Sequence, residues 1–124
     1  MRALLCTLAC AAGLGAAFVR AADAPERFLE LRIIAGVLPA EQRVIRVGKG
    51  ERVRWRISSD APGDVHIHAY HLEVTVPSGQ PVDLAFKAFA TGRYRVEWHP
   101  VAGKPVAPGS HHAPPLATLE VHPQ

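Results

Sequence analysis

Sulfur-bearing side chains are scarce in this sequence of 124 residues, and all of them lie near its N-terminus. The two cysteines are Cys6 and Cys10, and the one methionine is Met1. A chain that loses this segment on export keeps no thiol. It can then form no disulfide and offers neither a cysteine nucleophile nor a thiolate ligand for a metal.

The N-terminal segment has the pattern of a secretory signal peptide. A short positive start, Met1-Arg2, precedes an apolar run over residues 3–19, and Val19-Arg20-Ala21 supplies small residues at the positions that signal peptidase reads. We expect a signal peptide over residues 1–21, cleaved after Ala21 or Ala22, and one domain over 22–124. The run is shorter than the ~20 residues of a spanning helix, so we expect no membrane insertion after cleavage and a periplasmic or secreted protein.

Positive and negative charges nearly balance in the expected mature chain. Removing Arg2 and Arg20 leaves 12 basic residues against 11 acidic ones. Arg52, Arg54 and Arg56 share one side of a predicted strand, but alternating charge is typical of a solvated sheet face. The sequence contains no concentrated basic stripe, which argues against a nucleic-acid partner.

Helical periodicity is missing after the signal peptide. Apolar residues instead recur at every second position, and glycine- and proline-rich turns interrupt the chain at short intervals. This pattern predicts an all-β protein, a Greek-key β-sandwich of about seven to eight strands. The predicted extended segments are 28–34, 43–47, 52–58, 64–76, 82–88, 92–98 and 116–122.

Histidine is the residue type that suggests chemistry, with seven in the chain. Five of them fall in three places: His66 and His68 on one strand, His99 at a strand end, and His111 and His112 in a long connection with five prolines over residues 100–115. Imidazole is the commonest transition-metal ligand among side chains. A His-x-His pair on a strand places both rings on one face. These five histidines are the predicted metal ligands.

The direction of the His66 and His68 side chains depends on whether residues 64–76 form one strand. In an unbroken strand both would share a face with the apolar residues at positions 70, 72, 74 and 76, and would point into one end of the sandwich. A bulge would reverse this prediction. His99 has the parity of Glu97, which favours the solvent side. The simpler interpretation is that these histidines are structural, each hydrogen-bonded to a carbonyl or hydrated.

The order of strands, the segments 64–70 and 92–98, and the closing strand 116–121 resemble a cupredoxin domain. The resemblance covers roughly residues 43–121. It implies that His68 matches the first copper-ligating histidine and His111 the second. The same resemblance puts the cysteine position at Trp98 and the axial methionine near Pro115. Because both sulfur ligands are missing, type 1 copper is excluded.

Without the sulfur ligands, the resemblance implies an all-imidazole site. Copper is the expected metal, and zinc also suits imidazole ligands. The main hypothesis is an exported protein that binds or delivers a metal ion, its partner being the ion or a metal-handling protein. The alternative is a metal-free module for protein interaction, with Trp98 plugging the copper cavity. An enzyme is the least favoured class. The His-x-His pair is similar to that of copper–zinc superoxide dismutases, but the disulfide and a bridging set of ligands are missing.

Overall fold

Eight β-strands make up most of the computed structural model, which describes residues 25–101 and 114–124. Two single turns of 3-10 helix, Ala40–Gln42 and His68–Tyr70, lie between strands. In chain order the strands are β1 (Glu26–Ile33), β2 (Val44–Gly48), β3 (Arg52–Ser59), β4 (Gly63–Ile67), β5 (Leu72–Val76), β6 (Val82–Lys87), β7 (Gly92–Pro100) and β8 (Ala117–His122). Within the described ranges, no helix has the length and apolar character needed to cross a membrane.

The strands form two sheets. One has three strands in the order β1-β3-β6, and the other has five in the order β2-β8-β7-β4-β5. Both are mixed, because β1 runs parallel to β3 and β2 runs parallel to β8, whereas the remaining pairs are antiparallel. The predicted all-β sandwich is confirmed.

The core forms because the strands alternate apolar and polar residues. On β3, Val53, Trp55 and Ile57 are fully buried, and the arginines between them lie on the outside. The Trp55 ring meets Phe86 of β6 edge to face, with ring centroids 5.1 Å apart. Val65, Ile67 and Val96 of the five-stranded sheet are also fully buried. The inner faces of the two sheets therefore supply one shared core.

The expectation of one extended segment over residues 64–76 is wrong. The chain forms a hairpin, in which Ile67 at the end of β4 pairs with Leu72 at the start of β5. The four residues between them include the turn His68–Tyr70 and His71, which adopts the left-handed conformation with φ 50° and ψ 38°. Histidine is one of the few non-glycine residues enriched there. Because the turn contains an even number of residues, odd-numbered residues face the core in β4 and even-numbered ones in β5.

Tyr70 anchors this turn to the sandwich. Its side chain is buried, and its hydroxyl donates a hydrogen bond to the Ala90 carbonyl oxygen at 3.2 Å. The ring contacts Phe89 and Tyr94, with centroids 4.5 and 5.1 Å away. The position of His68 is thus fixed by a buried neighbour two residues along the chain.

Candidate metal centre

Three of the five predicted ligands lie together in the structure. Each of His66, His68 and His99 offers a ring nitrogen, and these nitrogens all lie within 4.8 Å of one another. We call these three residues the histidine triad. His111 and His112 lie outside the described residues, so their assignment as ligands stays a prediction.

The triad lies on the outer face of the five-stranded sheet, so the predicted inward direction of His66 and His68 is wrong. Val65 and Ile67 take the inner positions of β4 and leave His66 on the outside. The hairpin turn causes the difference, since it changes which residues face the core between β4 and β5. His68 follows the end of the strand and belongs to the turn.

Strand register explains why His99 joins the other two. In the antiparallel pair of β4 and β7, Asp64 lies opposite His99 and His66 lies opposite Glu97. His66 and His99 are therefore diagonal neighbours on one face, which side chains of this size can span. Their ring centroids are 6.1 Å apart.

The turn brings His68 close to His66. The two ring centroids lie 3.8 Å apart, with an angle of 36° between the ring planes. The His66 side chain is the most buried of the triad at 23% exposed, whereas those of His68 and His99 are 61% and 50% exposed. His66 is thus the best shielded of the three imidazoles, and the other two are open to solvent.

Glu97 is a part of this cluster that the sequence analysis did not identify. Its Oε2 lies 2.8 Å from His68 Nε2 and 3.4 Å from His99 Nε2. Arg95 Nε lies 3.4 Å from the other oxygen, Oε1. The signal available in the sequence was the shared parity of residues 97 and 99, which places both on the same face of β7.

The environment of Glu97 keeps its carboxyl group ionised. The hydrogen bond with His68 lowers the pKa of Glu97 from its ordinary value of 4.5, partial burial opposes that shift, and Arg95 lowers the pKa further. A carboxyl group whose pKa is lowered by folding stabilises the folded state above its unfolded pKa. This contribution is lost as the pH falls through the folded pKa.

We therefore expect Glu97→Gln to lower the melting temperature of the chelator-treated protein at about pH 7 and to have a smaller effect at about pH 3. The difference from wild type should begin to shrink as the pH falls below about 4.5, the ordinary pKa. Thermal melts followed by circular dichroism across this range measure it. Glu41→Gln, an exposed residue of the first 3-10 turn, controls for loss of a surface carboxylate. If the difference in melting temperature between Glu97→Gln and wild type stays constant with pH, folding does not lower the pKa of Glu97.

Two further carboxylates add negative charge around the triad. Glu73 of β5 lies opposite His66, with its Oε2 3.8 Å from His66 Nδ1. Asp64 lies opposite His99 and accepts a hydrogen bond from the Thr75 hydroxyl at 2.7 Å. Acidic groups beside imidazoles favour the approach of a cation.

The spacing of the triad is close to that of a metal site. Nitrogen ligands about 2.0–2.1 Å from an ion are roughly 3–4 Å apart, depending on the angle between them. The triad nitrogens lie within 4.8 Å of one another, which is close to this spacing. Three imidazoles with no sulfur suit Cu(II) and Zn(II) rather than Cu(I).

Trp98 lies on the other side of the sheet from the triad and does not fill the space between its rings. Its indole packs against the core and over Gly63, where an added Cβ would lie 2.6 Å from the indole Cη2. Trp98 and Pro115, the two positions that the resemblance assigns to sulfur ligands, line one pocket of about 180 Å³. Among the described residues, no histidine lines this pocket.

The fold is similar to that of known copper-protein domains. The chain matches a heme-copper terminal oxidase dimer (TM-score 0.60, 22% identity, 77% of this chain and 65% of that one). It also matches the periplasmic domain of cytochrome oxidase subunit II, CoxB, of Bradyrhizobium japonicum (TM-score 0.60, 13% identity, 79% and 85% covered). A third match is the blue copper oxidase of Nitrosomonas europaea (TM-score 0.56, 16% identity, 81% and 40% covered).

These similarities define the fold. The sandwich is cupredoxin-like, which confirms the resemblance seen in the sequence. The chain spans 65% of the matched terminal oxidase chain and 40% of the matched blue copper oxidase chain. No family model matches the sequence, and no curated protein matches it either.

Proposed function

We propose that this protein binds a divalent metal ion, Cu(II) in particular, through the histidine triad, and serves to bind or deliver the ion rather than to catalyse a reaction. The observation that carries the proposal is the approach of three imidazole nitrogens to within 4.8 Å on one sheet face. Imidazole is the commonest transition-metal ligand among side chains, and rings at this spacing can share one ion.

Exposure of the site supports binding or delivery. Two of the three rings are at least half exposed, so an ion held there stays accessible to a partner. Metal exchange between proteins needs such access, whereas a structural site is closed around its ion. A metal-handling protein is therefore the partner class that we propose, in the periplasm or outside the cell. The signal-peptide pattern and the likeness to the periplasmic CoxB domain support this location.

Calorimetric titration of the exported, chelator-treated protein with Cu(II) tests the proposal. We expect one ion per chain at micromolar protein, and a weak ligand-field absorption without the intense band of a copper–thiolate bond. A separate titration with Zn(II) gives the affinity for Zn(II), for comparison with that for Cu(II). No heat of binding for either ion at micromolar concentration would contradict the proposal.

A metal-free interaction module is the second candidate, and Trp98 is the observation that favours it. The indole occupies the position where the resemblance places the thiolate, beside the exposed Val37 and a wall formed by Pro114 and Pro115. In that case the melting temperature would not change with added metal or chelator, because a ligand stabilises only a state that binds it. A rise in melting temperature with Cu(II) favours the first candidate.

A further inference from the structure

A carboxylate that can also act as a metal ligand, that of Glu97, lies beside the histidine triad. Glu97 lies directly across the β4–β7 pair from His66 and two residues before His99 on the same face of β7. Its side chain is 21% exposed, less than those of His68 and His99. The carboxylate is therefore partly shielded from solvent and lies beside two of the three rings, His68 and His99.

The distances around Glu97 match those between two ligands of one ion. With metal–ligand bonds of about 2.0–2.2 Å, a carboxylate oxygen and an imidazole nitrogen at right or tetrahedral angles lie about 2.8–3.6 Å apart. Glu97 Oε2 lies 2.8 Å from His68 Nε2 and 3.4 Å from His99 Nε2. One oxygen thus already stands at ligand spacing from two members of the triad.

The second carboxylate oxygen is held from the other side. Arg95 Nε lies 3.4 Å from Oε1, which leaves Oε2 directed to the imidazoles. A hydrogen bond to the non-ligating oxygen is the type of outer contact that orients carboxylate ligands in metal sites. Glu73, by comparison, approaches His66 only to 3.8 Å, beyond hydrogen-bond distance.

We propose that Glu97 is the fourth ligand, so that the triad and Glu97 form a three-histidine, one-carboxylate centre selective for a divalent ion. This inference rests on the proposed function. A carboxylate is a hard ligand, and it favours Cu(II) or Zn(II) over Cu(I) more strongly than imidazoles alone. Its negative charge also offsets half of the charge of the ion on an exposed surface.

Titration of Glu97→Gln with Cu(II), followed by calorimetry and electron paramagnetic resonance, tests this inference. The glutamine keeps the size and a hydrogen-bond acceptor for His68 but is a poor metal ligand. We expect an affinity at least about tenfold weaker than wild type. We also expect changed g and copper hyperfine values, with the nitrogen couplings of the triad retained. Glu97→Asp keeps the carboxylate on a shorter side chain and should recover part of the affinity.

Glu73→Gln is the matched control, because it removes the same charge beside the triad without removing a proposed ligand. An exposed charge at that distance changes affinity by less than about fivefold, and the resonance spectrum should match wild type. A Glu97→Gln protein with wild-type affinity and spectrum overturns the inference but leaves the proposed function intact. Absence of Cu(II) binding in the wild type overturns both. Equal losses in Glu97→Gln and Glu73→Gln with unchanged spectra also overturn the inference, since charge alone would explain them.

Discussion

Replacing His66 with alanine is expected to weaken Cu(II) binding by at least about 100-fold, a larger loss than outer contacts to a metal site produce. His66 is the most buried ring of the triad, and the other two rings both lie against it. Without it, only two imidazoles of the triad remain, His68 and His99, beside the Glu97 carboxylate. Calorimetric titration with Cu(II) measures the loss.

His122→Ala provides the control for this experiment. His122 is an exposed histidine of the neighbouring strand β8, where its ring lies 3.5 Å from Glu120 rather than in the triad. Its removal should leave the affinity at the wild-type value. Wild-type affinity in His66→Ala would show that the triad is not the site, whatever the result for His122→Ala.

Replacing Trp55 with alanine is expected to destabilise the fold by about 3–5 kcal/mol, the usual cost of removing a large buried aromatic side chain. Trp55 is fully buried at the centre of β3, and its ring packs edge to face against Phe86. The cavity would lie between the two sheets, where the rest of the sandwich cannot collapse without breaking strand pairs. Urea unfolding at equilibrium gives the free energy directly.

Phe28→Ala is the matched control on the same sheet. The Phe28 side chain is 50% exposed on β1, the strand next to β3. A surface substitution of this kind changes the free energy of unfolding by about 0.5 kcal/mol or less. A Trp55→Ala loss no greater than that of Phe28→Ala would contradict the placement of the core.

The fold was predictable because strand alternation is a local property. On β3 the inward residues Val53, Trp55 and Ile57 are apolar and the residues between them are polar, so most of the strand and its buried face follow from the local pattern. The break between β4 and β5 was not predictable in the same way. Tyr70 has the parity of an inward strand residue, yet its ring anchors a turn. The apolar residues at every second position therefore continue past residues 68–71, although the strand is interrupted there.

The site was predictable only in part, because its assembly depends on pairing between distant strands. His66 and His68 are two residues apart and could be grouped from the sequence, and His99 was included as a candidate. Their common face and the place of Glu97 follow from the β4–β7 register, which joins residues about 31–35 positions apart. An acidic residue on an exposed strand is too common to stand out on its own.

The resemblance placed His68 and the two former sulfur positions in one copper site, but the structure places them apart. The positions that correspond to sulfur ligands, Trp98 and Pro115, line one pocket, and Trp98 packs against the core. The histidine triad lies on the outer face, with Glu97 among its rings. An ion held by the triad would therefore lie on the opposite side of the sheet from Trp98.

The most direct test of this account is the position of copper in crystals of the Cu(II)-loaded protein, located by anomalous diffraction at the copper absorption edge. We predict one peak on the outer face of the five-stranded sheet, about 2 Å from a ring nitrogen of each of His66, His68 and His99. A peak in the Trp98 pocket, a peak held by His111 and His112 alone, or no peak at all would contradict it.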